Sequence, residues 1–457
     1  MKIIKNGTLV TGNGKIRADL LINGEKIEAI GLNFNEEKCE VIDASGMLIF
    51  PGAVDAHTHF ELDVGRNIVS VDDFTQGSIS AACGGVTTII DHMAFGPVGC
   101  DLTHQPKIYH KKADNKTFID YSFHGTIQHV DDKILSQMQD LIDEGITSFK
   151  LYTTYGFKIS EADILKVFKR AKELNAVIAI HCEDDAMINH KKSELNASNK
   201  FAVKYHPISR PDICEEASVE NMISLAKLVD GVKIYIVHLS TKAGLDDLIQ
   251  ARKQGLKNIF IETCSQYLSL DDSLYEGDGA LKYTMSPPLR KQKDIDALWQ
   301  GLKNGYIDVI ATDHCPFNLA VEKQIGKDDY RLCPGGAPGV EERFRVVYTE
   351  GVCKGKISLE TFVKTMCENP AKIYGVPNKG KLEPNYDADI IIYDPNVDDY
   401  IRHSDLHGNV DYSIYEGFKV KGKIKKVFLR GELIVSDNKF LHEIPNGKFI
   451  KRTINSF

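Results

Sequence analysis

Six side chains that can bind a metal ion end or follow apolar, strand-like segments of this 457-residue chain. They are His57 and His59 in VDAHTH, Lys150 in TSFKLY, His181 in VIAIHC, His238 in IYIVHL and Asp313 in VIATD. Four imidazoles and a carboxylate suit zinc or a similar divalent ion. A lysine joins such a set when its amine takes up carbon dioxide and becomes a carbamate that bridges two metals. The pattern therefore predicts a centre of two metal ions that activates a water molecule.

The first two histidines are separated by one residue. On a strand, both imidazoles then point to the same side and can share one metal. An H-x-H pair alone is a weak signal. Here FPGAVDA precedes His57 and His59 at the start of a repeated strand pattern. This context favours a metal site over two buried histidines bonded to backbone carbonyls.

Lys150 is the most informative of the six. It lies in the middle of a strand between Phe149 and Leu151, where an unpaired ammonium is costly to bury. Burial lowers the pKa of a lysine and leaves a neutral amine that can react with carbon dioxide. The alternative is a lysine that reaches solvent past the end of the strand.

The remaining ligands end three later strands. His181 and His238 would complete the second metal, and Asp313 would touch both a metal and the attacking water. His92 and His124 end two other strands, where a structural role is favoured over a place beside the ligands. The following histidines are expected at the surface or in loops: His104, His129, His206, His403 and His407.

The elements that position these side chains alternate between apolar strands and amphipathic helices. The eight candidate strands are AVDAHTH, VTTIIDH, IDYSFHGTI, SFKLY, VIAIHC, KIYIVHL, NIFIETC and DVIATD. One intervening helix, SEADILKVFKRAKELN, begins with Ser160 as its N-cap, and another, GLDDLIQARKQG, ends at Gly255. Eight such units predict a TIM barrel, whose strand ends converge on one mouth. A doubly wound sheet is disfavoured because no G-x-G-x-x-G follows the first strand.

Both ends of the chain lack this alternation of strands and helices and instead show a pattern of short strands and turns. Asn23-Gly24 lies between two apolar runs, which is a strong hairpin signal. Neither end offers enough strands for a stable unit by itself. We therefore expect residues 1–50 and 379–457 to form one small β-sandwich domain beside a barrel domain of residues 51–378.

Composition excludes several other classes of protein. The chain is 42% hydrophobic and 26% charged with a net charge of −8, so nucleic acid is not an expected partner. No apolar run approaches the ~18 residues of a membrane span, and no signal peptide is recognisable. The ten cysteines have no C-x-x-C spacing, which is typical of reduced thiols in the cytoplasm. A cytoplasmic protein without a membrane partner is expected.

Longer motifs along nearly the whole chain resemble one family. They are FPGAVDAHTHF, ACGGVTTIIDH, ITSFKLYTTY, IETCSQYL, MSPPLR, DVIATDHCPF, CPGGAPGVEER, ENPAKIYG and DADIIIYDP. The chain resembles the dihydropyrimidinase and hydantoinase group of cyclic amidohydrolases, within the amidohydrolase superfamily. Its DHM and CPxGxPGVExR motifs are similar to those of bacterial phenylhydantoinase-type members. The resemblance implies a TIM barrel and a homotetramer.

The resemblance also implies a role for each candidate residue. One metal, expected to be zinc, would be held by two histidines, a carboxylated lysine and an aspartate, and the other by the same lysine and two further histidines. In that order the positions are His57, His59, Lys150, Asp313, His181 and His238. Tyr155 would stabilise the oxyanion, and Ser286 would contact the ring amide through its backbone. The glycine-rich loop has Gly335 where the family usually has asparagine, which removes any side-chain contact there.

The expected reaction opens the ring of a 5-substituted hydantoin or a 5,6-dihydropyrimidine to an N-carbamoyl amino acid, with Asp313 as the catalytic base. Dihydroorotases usually have an arginine after H-x-H, whereas this chain has Phe60. Allantoinases usually continue N-E-P-G, whereas this chain has ELDVG. A non-catalytic relative of the dihydropyrimidinases would have lost metal ligands. The following residues are expected to line the substrate pocket: Phe60, Leu62, Met93, Phe95, Tyr152 and Phe157.

Overall fold

The computed structural model describes residues 1–454. Seven short strands come first: β1 Lys2–Lys5, β2 Thr8–Thr11, β3 Gly14–Ile16, β4 Asp19–Asn23, β5 Lys26–Gly31, β6 Glu40–Asp43 and β7 Leu48–Pro51. Four of them form a sheet in the order β5-β4-β1-β6. The turn at Asn23-Gly24 joins β4 and β5 as an antiparallel hairpin, which confirms that prediction.

The eight predicted strands of the central region are all present. They are β8 Ala53–Thr58, β9 Val86–His92, β10 Asp120–Thr126, β11 Ser148–Tyr152, β12 Val177–His181, β13 Lys233–Ile236, β14 Ile259–Cys264 and β15 Val309–Ala311. Each strand pairs in parallel with the next one along the chain. A parallel bridge between Thr58 and His314 closes the ring. The expected TIM barrel is therefore confirmed.

Helices cover the outside of the barrel. They are α1 Phe74–Cys83, α2 His104–Ala113, α3 Asp132–Glu144, α4 Glu161–Glu173, α5 Asp185–Ala197, α6 His206–Ser209, α7 Asp212–Val229, α8 Lys242–Lys253, α9 Gln292–Lys303, α10 Arg343–Val347, α11 Leu359–Val363 and α12 Asn369–Ile373. The predicted cap of α4 is present, since the Ser160 side chain accepts from the backbone N–H of Asp163. Gly255, two residues past α8, has a φ of 102°, which glycine adopts without strain. Local sequence signals thus set where these helices begin and end.

The two ends of the chain meet in a second, mixed sheet. The last strands are β16 Ile390–Tyr400, β17 Lys419–Leu429, β18 Glu432–Ser436 and β19 Lys439–Phe440. The sheet order is β19-β18-β17-β16-β7-β2-β3, so β7 from the beginning of the chain lies beside β16. This arrangement supports the proposed division into a barrel domain and a β domain, which stays a prediction.

The segment after β19 leaves the β sheets and lies against the barrel. The N–H of Tyr121 donates to the carbonyl of Lys448, and the N–H of Ile450 donates to the carbonyl of Tyr121. Arg452 is buried and bonds Ser122 and Ser148. Residues 447–452 therefore lie against the first halves of β10 and β11. Within residues 1–454, no helix has both the length and the apolar character needed to cross a lipid bilayer.

Candidate metal centre

The first group of predicted ligands converges on one carboxylate oxygen. His57 ends its strand and His59 follows it, and the Nε2 atom of each lies 3.1 Å from Oδ1 of Asp313. Potential ligand atoms of these three residues all lie within 4.8 Å of one another. The equal distances place two imidazoles on one side of a common point, as a shared metal requires.

Glu262, in the middle of β14, orients this group. Its Oε1 atom accepts from Nδ1 of His57 at 2.7 Å and from the backbone N–H of His238 at 2.9 Å. Its Oε2 atom accepts from the hydroxyl of Tyr235 at 2.8 Å. A histidine that donates through Nδ1 leaves the Nε2 lone pair available, which is the usual arrangement for a metal-binding imidazole. Glu262 therefore selects the tautomer of His57.

In the second group of predicted ligands, a glutamate again orients a histidine, but it accepts from Nε2 of the imidazole and not from Nδ1. Nε2 of His181 donates to Glu183 at 2.7 Å, so its Nδ1 atom faces Nε2 of His238 at 2.9 Å. Glu183 also pairs with Arg210, and this buried cation holds the pKa of the Glu183 carboxyl at about 2 despite its desolvation. The carboxylate therefore stays ionised and keeps the proton of His181 on Nε2.

Lys150 lies between these groups. Its side chain is only 1% exposed. Burial lowers the pKa of Lys150 to about 8, although the nearby carboxylates of Asp313 and Glu262 oppose that shift. Burial is also the main cause that lowers the pKa of His181 and His238, and the Lys150 ammonium adds to it. The Lys150 amine therefore lies within electrostatic reach of candidate ligands in both groups.

The donor set fits two divalent cations. Nδ1 of His181 and Nε2 of His238 face each other, and at most one proton can lie between their two lone pairs. A cation would accept both lone pairs. At His57, burial is outweighed by the carboxylates of Glu262 and Asp313, which raise the pKa of this imidazole to about 9. A site that attracts a proton this strongly also attracts a metal, which competes with the proton for the same lone pair.

Three residues of the site have strained backbone conformations. Tyr155, His238 and Asp313 have φ angles of 72°, 40° and 54°, in the left-handed region that non-glycine residues seldom adopt. Such conformations cost about 1–3 kcal/mol each and tend to cluster at active sites. In this chain they turn three side chains towards one point at the barrel mouth.

A cavity of about 650 Å³ opens above the predicted ligands. All six ligands line it, as do Tyr155, Ser286 and Gly335. Other lining residues are Leu62, Met93, Phe95, Tyr152 and Phe157, as the sequence predicted. The prediction for Phe60 was wrong, because this side chain is buried and packs edge-on against Phe74 and His314.

Tyr155 lies directly beside the second ligand group. Its ring centroid is 5.2 Å from that of His181, and the Arg210 guanidinium lies 5.3 Å from the centroid of the Tyr155 ring. Desolvation of the hydroxyl raises the pKa of Tyr155 to about 12, with a smaller opposing effect from Arg210. The phenol therefore keeps its proton at neutral pH and can donate a hydrogen bond.

The unusual Gly335 leaves open space in the cavity wall. A Cβ atom added there would meet a single neighbour within 4 Å, the Ser286 hydroxyl at 3.9 Å. An asparagine side chain would have room, so the glycine is not forced by crowding. Any contact that this loop makes with a ligand at Gly335 has to use main-chain atoms.

Three other histidines lie near the predicted ligands or the cavity. His124 bonds Ser148 at 2.6 Å and the Ala56 carbonyl at 3.1 Å, which confirms its expected structural role. His92 stacks on His124 and lies 4.2 Å from His57, and its ring nitrogens have no hydrogen-bond partner within residues 1–454. The prediction for His206 was wrong, because it is buried and bonds the Met285 carbonyl at 2.7 Å.

Sequence reasoning did not assign the two glutamates that orient the histidines. Glu262 is a charged residue inside an apolar strand, which is the same signal that identified Lys150. Glu183 follows His181 by two residues, and its role depends on Arg210, which is 27 residues further along the chain. The first could have been found from the sequence, whereas the second required the fold.

A TIM barrel with paired histidine groups and a buried lysine at its mouth defines a class of metal-dependent hydrolases. The model of the amidohydrolase family matches residues 48–434, and the chain belongs to this family. The expected family is thereby confirmed.

Individual relatives are similar over their whole length. The D-phenylhydantoinase of Escherichia coli O1:K1 is 45% identical over 452 residues, which are 98% of each chain. The solved structure of dihydropyrimidinase from Brevibacillus agri NCHU1002 has a TM-score of 0.97 and 36% identity, covering 100% of this chain and 99% of that chain. D-Hydantoinase from Bacillus sp. AR9 has a TM-score of 0.95 and 36% identity, with 99% of each chain covered.

Proposed function

We propose that this enzyme hydrolyses a cyclic ureide, opening a 5-substituted hydantoin or a 5,6-dihydropyrimidine to an N-carbamoyl amino acid. The observation that carries the proposal is the convergence of four imidazoles and Asp313 around the buried Lys150, at the mouth of a barrel that closely resembles those of a dihydropyrimidinase and a D-hydantoinase. The similarity to a D-phenylhydantoinase supports the same substrate class.

Two divalent ions, zinc by our proposal, would be held by His57, His59 and Asp313 on one side and by His181 and His238 on the other, with carboxylated Lys150 between them. When bound, they supply positive charge that polarises the ring carbonyl and makes a water molecule acidic enough to attack at neutral pH. Glu262 and Glu183 keep the imidazole lone pairs directed into the centre. Because Lys150 has a pKa of about 8, a useful fraction of its amine is neutral and able to take up carbon dioxide.

The protonation state and the position of Asp313 support a role for it in proton transfer. The histidines beside it hold the pKa of the Asp313 carboxyl well below its usual range even though the residue is desolvated, so it is a carboxylate before reaction. Its strained backbone turns the carboxylate towards the cavity. We propose that it takes the proton of the attacking water and returns it to the departing ring nitrogen.

Tyr155, Ser286 and Gly335 would hold the ring. The protonated phenol of Tyr155 can donate to the carbonyl oxygen as negative charge develops on it. Ser286 and Gly335 both line the cavity, and we propose that their backbone groups pair with the ring amide. The following side chains also line the cavity and would surround a bulky or aryl exocyclic substituent: Leu62, Met93, Phe95, Tyr152 and Phe157.

The test compares substrates with one zinc-loaded preparation of the whole chain. Phenylhydantoin, dihydrouracil, allantoin and dihydroorotate are supplied in parallel, and the ring-opened products are quantified. Turnover of phenylhydantoin or dihydrouracil is expected. Turnover of allantoin alone would reassign the substrate, and no turnover by protein that carries two zinc ions per subunit would reject the proposal. A homotetramer, a cytoplasmic location and zinc as the metal used in the cell stay predictions.

A further inference from the structure

Lys323, which lies outside the predicted ligand set, is completely buried. Its side chain has 0% exposure. Its ammonium donates to three backbone carbonyls: Thr284 at 2.8 Å, Pro334 at 2.9 Å and Gly336 at 2.7 Å. Within residues 1–454 it forms no ion pair with a carboxylate. The three N–H groups of the ammonium are therefore fully used in joining two segments of main chain.

Burial of a charged residue of this kind costs folding free energy. Burial lowers the pKa of Lys323 to about 8, which shows that the protein opposes its charge. A neutral amine would supply only two donors and would leave one buried carbonyl unsatisfied. A hydrophobic side chain would fill the same space without this cost. The three carbonyl contacts are therefore what the lysine contributes.

The first of the two segments contains Ser286. The carbonyl of Met285 accepts from His206 at 2.7 Å, and that of Pro287 accepts from the Tyr267 hydroxyl at 2.6 Å. Within the described chain, the backbone N–H and carbonyl of Ser286 itself have no hydrogen-bond partner. The protein thus holds the residues around Ser286, a residue that lines the cavity, and leaves the backbone groups of Ser286 without a partner among residues 1–454.

The second segment contains Gly335 and repeats the pattern. Lys323 holds the carbonyls on both sides of this glycine, at Pro334 and Gly336. The N–H of Gly336 donates to the Thr284 carbonyl at 3.0 Å, which joins the two segments directly. The backbone groups of Gly335 make no hydrogen bond to residues 1–454. Two unused sets of backbone groups are thus presented side by side on one wall of the cavity.

We infer that Lys323 is a positioning residue for the substrate: its ammonium fixes the spacing between the Ser286 and Gly335 segments so that their free backbone groups bind the ring amide of the cyclic ureide. The inference rests on the proposed function. It also explains why the chain tolerates Gly335, because recognition by main-chain atoms depends on where the loop lies and not on its side chain.

The experiment measures KM and kcat for the ureide that the wild type turns over. Lys323→Met keeps the length of the side chain and removes all three donors, and Lys323→Gln retains two. The ring contacts exist before and during reaction, so their loss raises KM more than it lowers kcat. We expect KM to rise about 10-fold or more in Lys323→Met, since small displacements of binding groups have effects of this size. The KM of Lys323→Gln is expected to lie between those of Lys323→Met and the wild type.

Lys379→Met is the matched control. Lys379 is also a buried lysine, but it pairs with Asp120 and Asp389 away from the cavity. Its replacement is expected to lower the unfolding temperature and to leave KM unchanged. Hydrogen exchange of residues 283–288 and 333–337 is followed in all variants and is expected to accelerate in both segments in the Lys323 variants only.

An unchanged KM in both Lys323 variants, with kcat falling only as the folded fraction falls, would overturn the inference. Unchanged exchange in the two segments would also overturn it. If Lys323→Met does not fold, the comparison of Lys323→Gln with the wild type decides by the same two measurements. Absence of turnover by the wild type would instead count against the proposed function, so the two failures are distinguishable.

Discussion

Replacing Glu262 by glutamine is expected to weaken metal binding while keeping the shape of the site. The new amide can keep its oxygen towards Nδ1 of His57 and the N–H of His238, the two donors that Oε1 serves. Its NH₂ group then faces the hydroxyl of Tyr235, which has to accept a hydrogen bond where it now donates. The main change is therefore the loss of one negative charge 2.7 Å from a ligand imidazole.

The magnitude follows from the position of that charge. Glu262 increases the basicity of His57 and bonds the backbone of His238, so its loss affects both halves of the centre. Removal of such a partner typically costs ~10–100-fold in metal affinity. This factor corresponds to about 1.4–2.7 kcal/mol. The free zinc concentration at half saturation is expected to rise by the same factor.

The assay dialyses each variant against buffers of graded free zinc and measures the zinc bound per subunit. Glu215→Gln is the control, because Glu215 is a buried glutamate that accepts from the backbone N–H of Thr241 at 2.7 Å but does not line the cavity. The control is expected to bind zinc as the wild type does. Equal zinc affinity in Glu262→Gln and the wild type would refute the argument that Glu262 tunes the ligands, and a shift of the same size in the control would show that the effect is not local.

Further predictions concern Lys150, His57 and the N-cap of α4. Lys150→Ala is expected to lose zinc and activity, and added short-chain carboxylic acids should restore part of both; full activity without added acid would exclude the carbamate. Because the pKa of His57 is raised to about 9, zinc uptake at pH 7 should release its proton and zinc affinity should rise with pH until about 9, as calorimetry in buffers of different ionisation enthalpy can measure. In the zinc-free protein, the folding stability contributed by this imidazole changes with pH in the opposite direction to zinc affinity. The contribution is fully present below pH 6.5 and is lost as the pH rises through about 9. Ser160→Ala is expected to cost about 1 kcal/mol of unfolding free energy through loss of the α4 cap, with kcat and KM unchanged.

The barrel could be predicted, and candidate metal ligands could be proposed, because both leave local signals. Each strand is a short apolar run, and most of the predicted ligands are polar residues at the end of such a run, as for His181 and His238. Lys150 stands out because an unpaired charge is costly to bury in an apolar strand, so its presence there indicates a function. Glu262 carries the same signal in β14, so its importance, though not its partner, was within reach of sequence reasoning.

Other parts of the site depend on contacts between distant segments and leave no such pattern. Lys323 belongs to a polar stretch that resembles any exposed loop, and its burial arises only when the segments around Ser286 and Gly335 close over it. Phe60 follows a ligand histidine and was therefore expected in the pocket. A neighbouring helix provides a better apolar surface, since Gly77 of α1 leaves room for the Phe60 ring. In both cases packing, and not local sequence, decides where the side chain lies.

If the proposed function is right, uptake of metal and of carbon dioxide is expected to be coupled in this centre. In the metal-free site Asp313 and Glu262 raise the pKa of Lys150 against the effect of burial, so these carboxylates favour a cation at that position. A carbamate would place a negative charge beside the same two carboxylates and would be repelled. Divalent ions reverse the sign of the interaction, so each ligand strengthens the binding of the other by an equal factor. Intact-protein mass spectrometry is therefore expected to show the added carbon dioxide on the zinc-loaded chain and a bare lysine after chelation, and a carbamate that persists without metal would contradict this coupling.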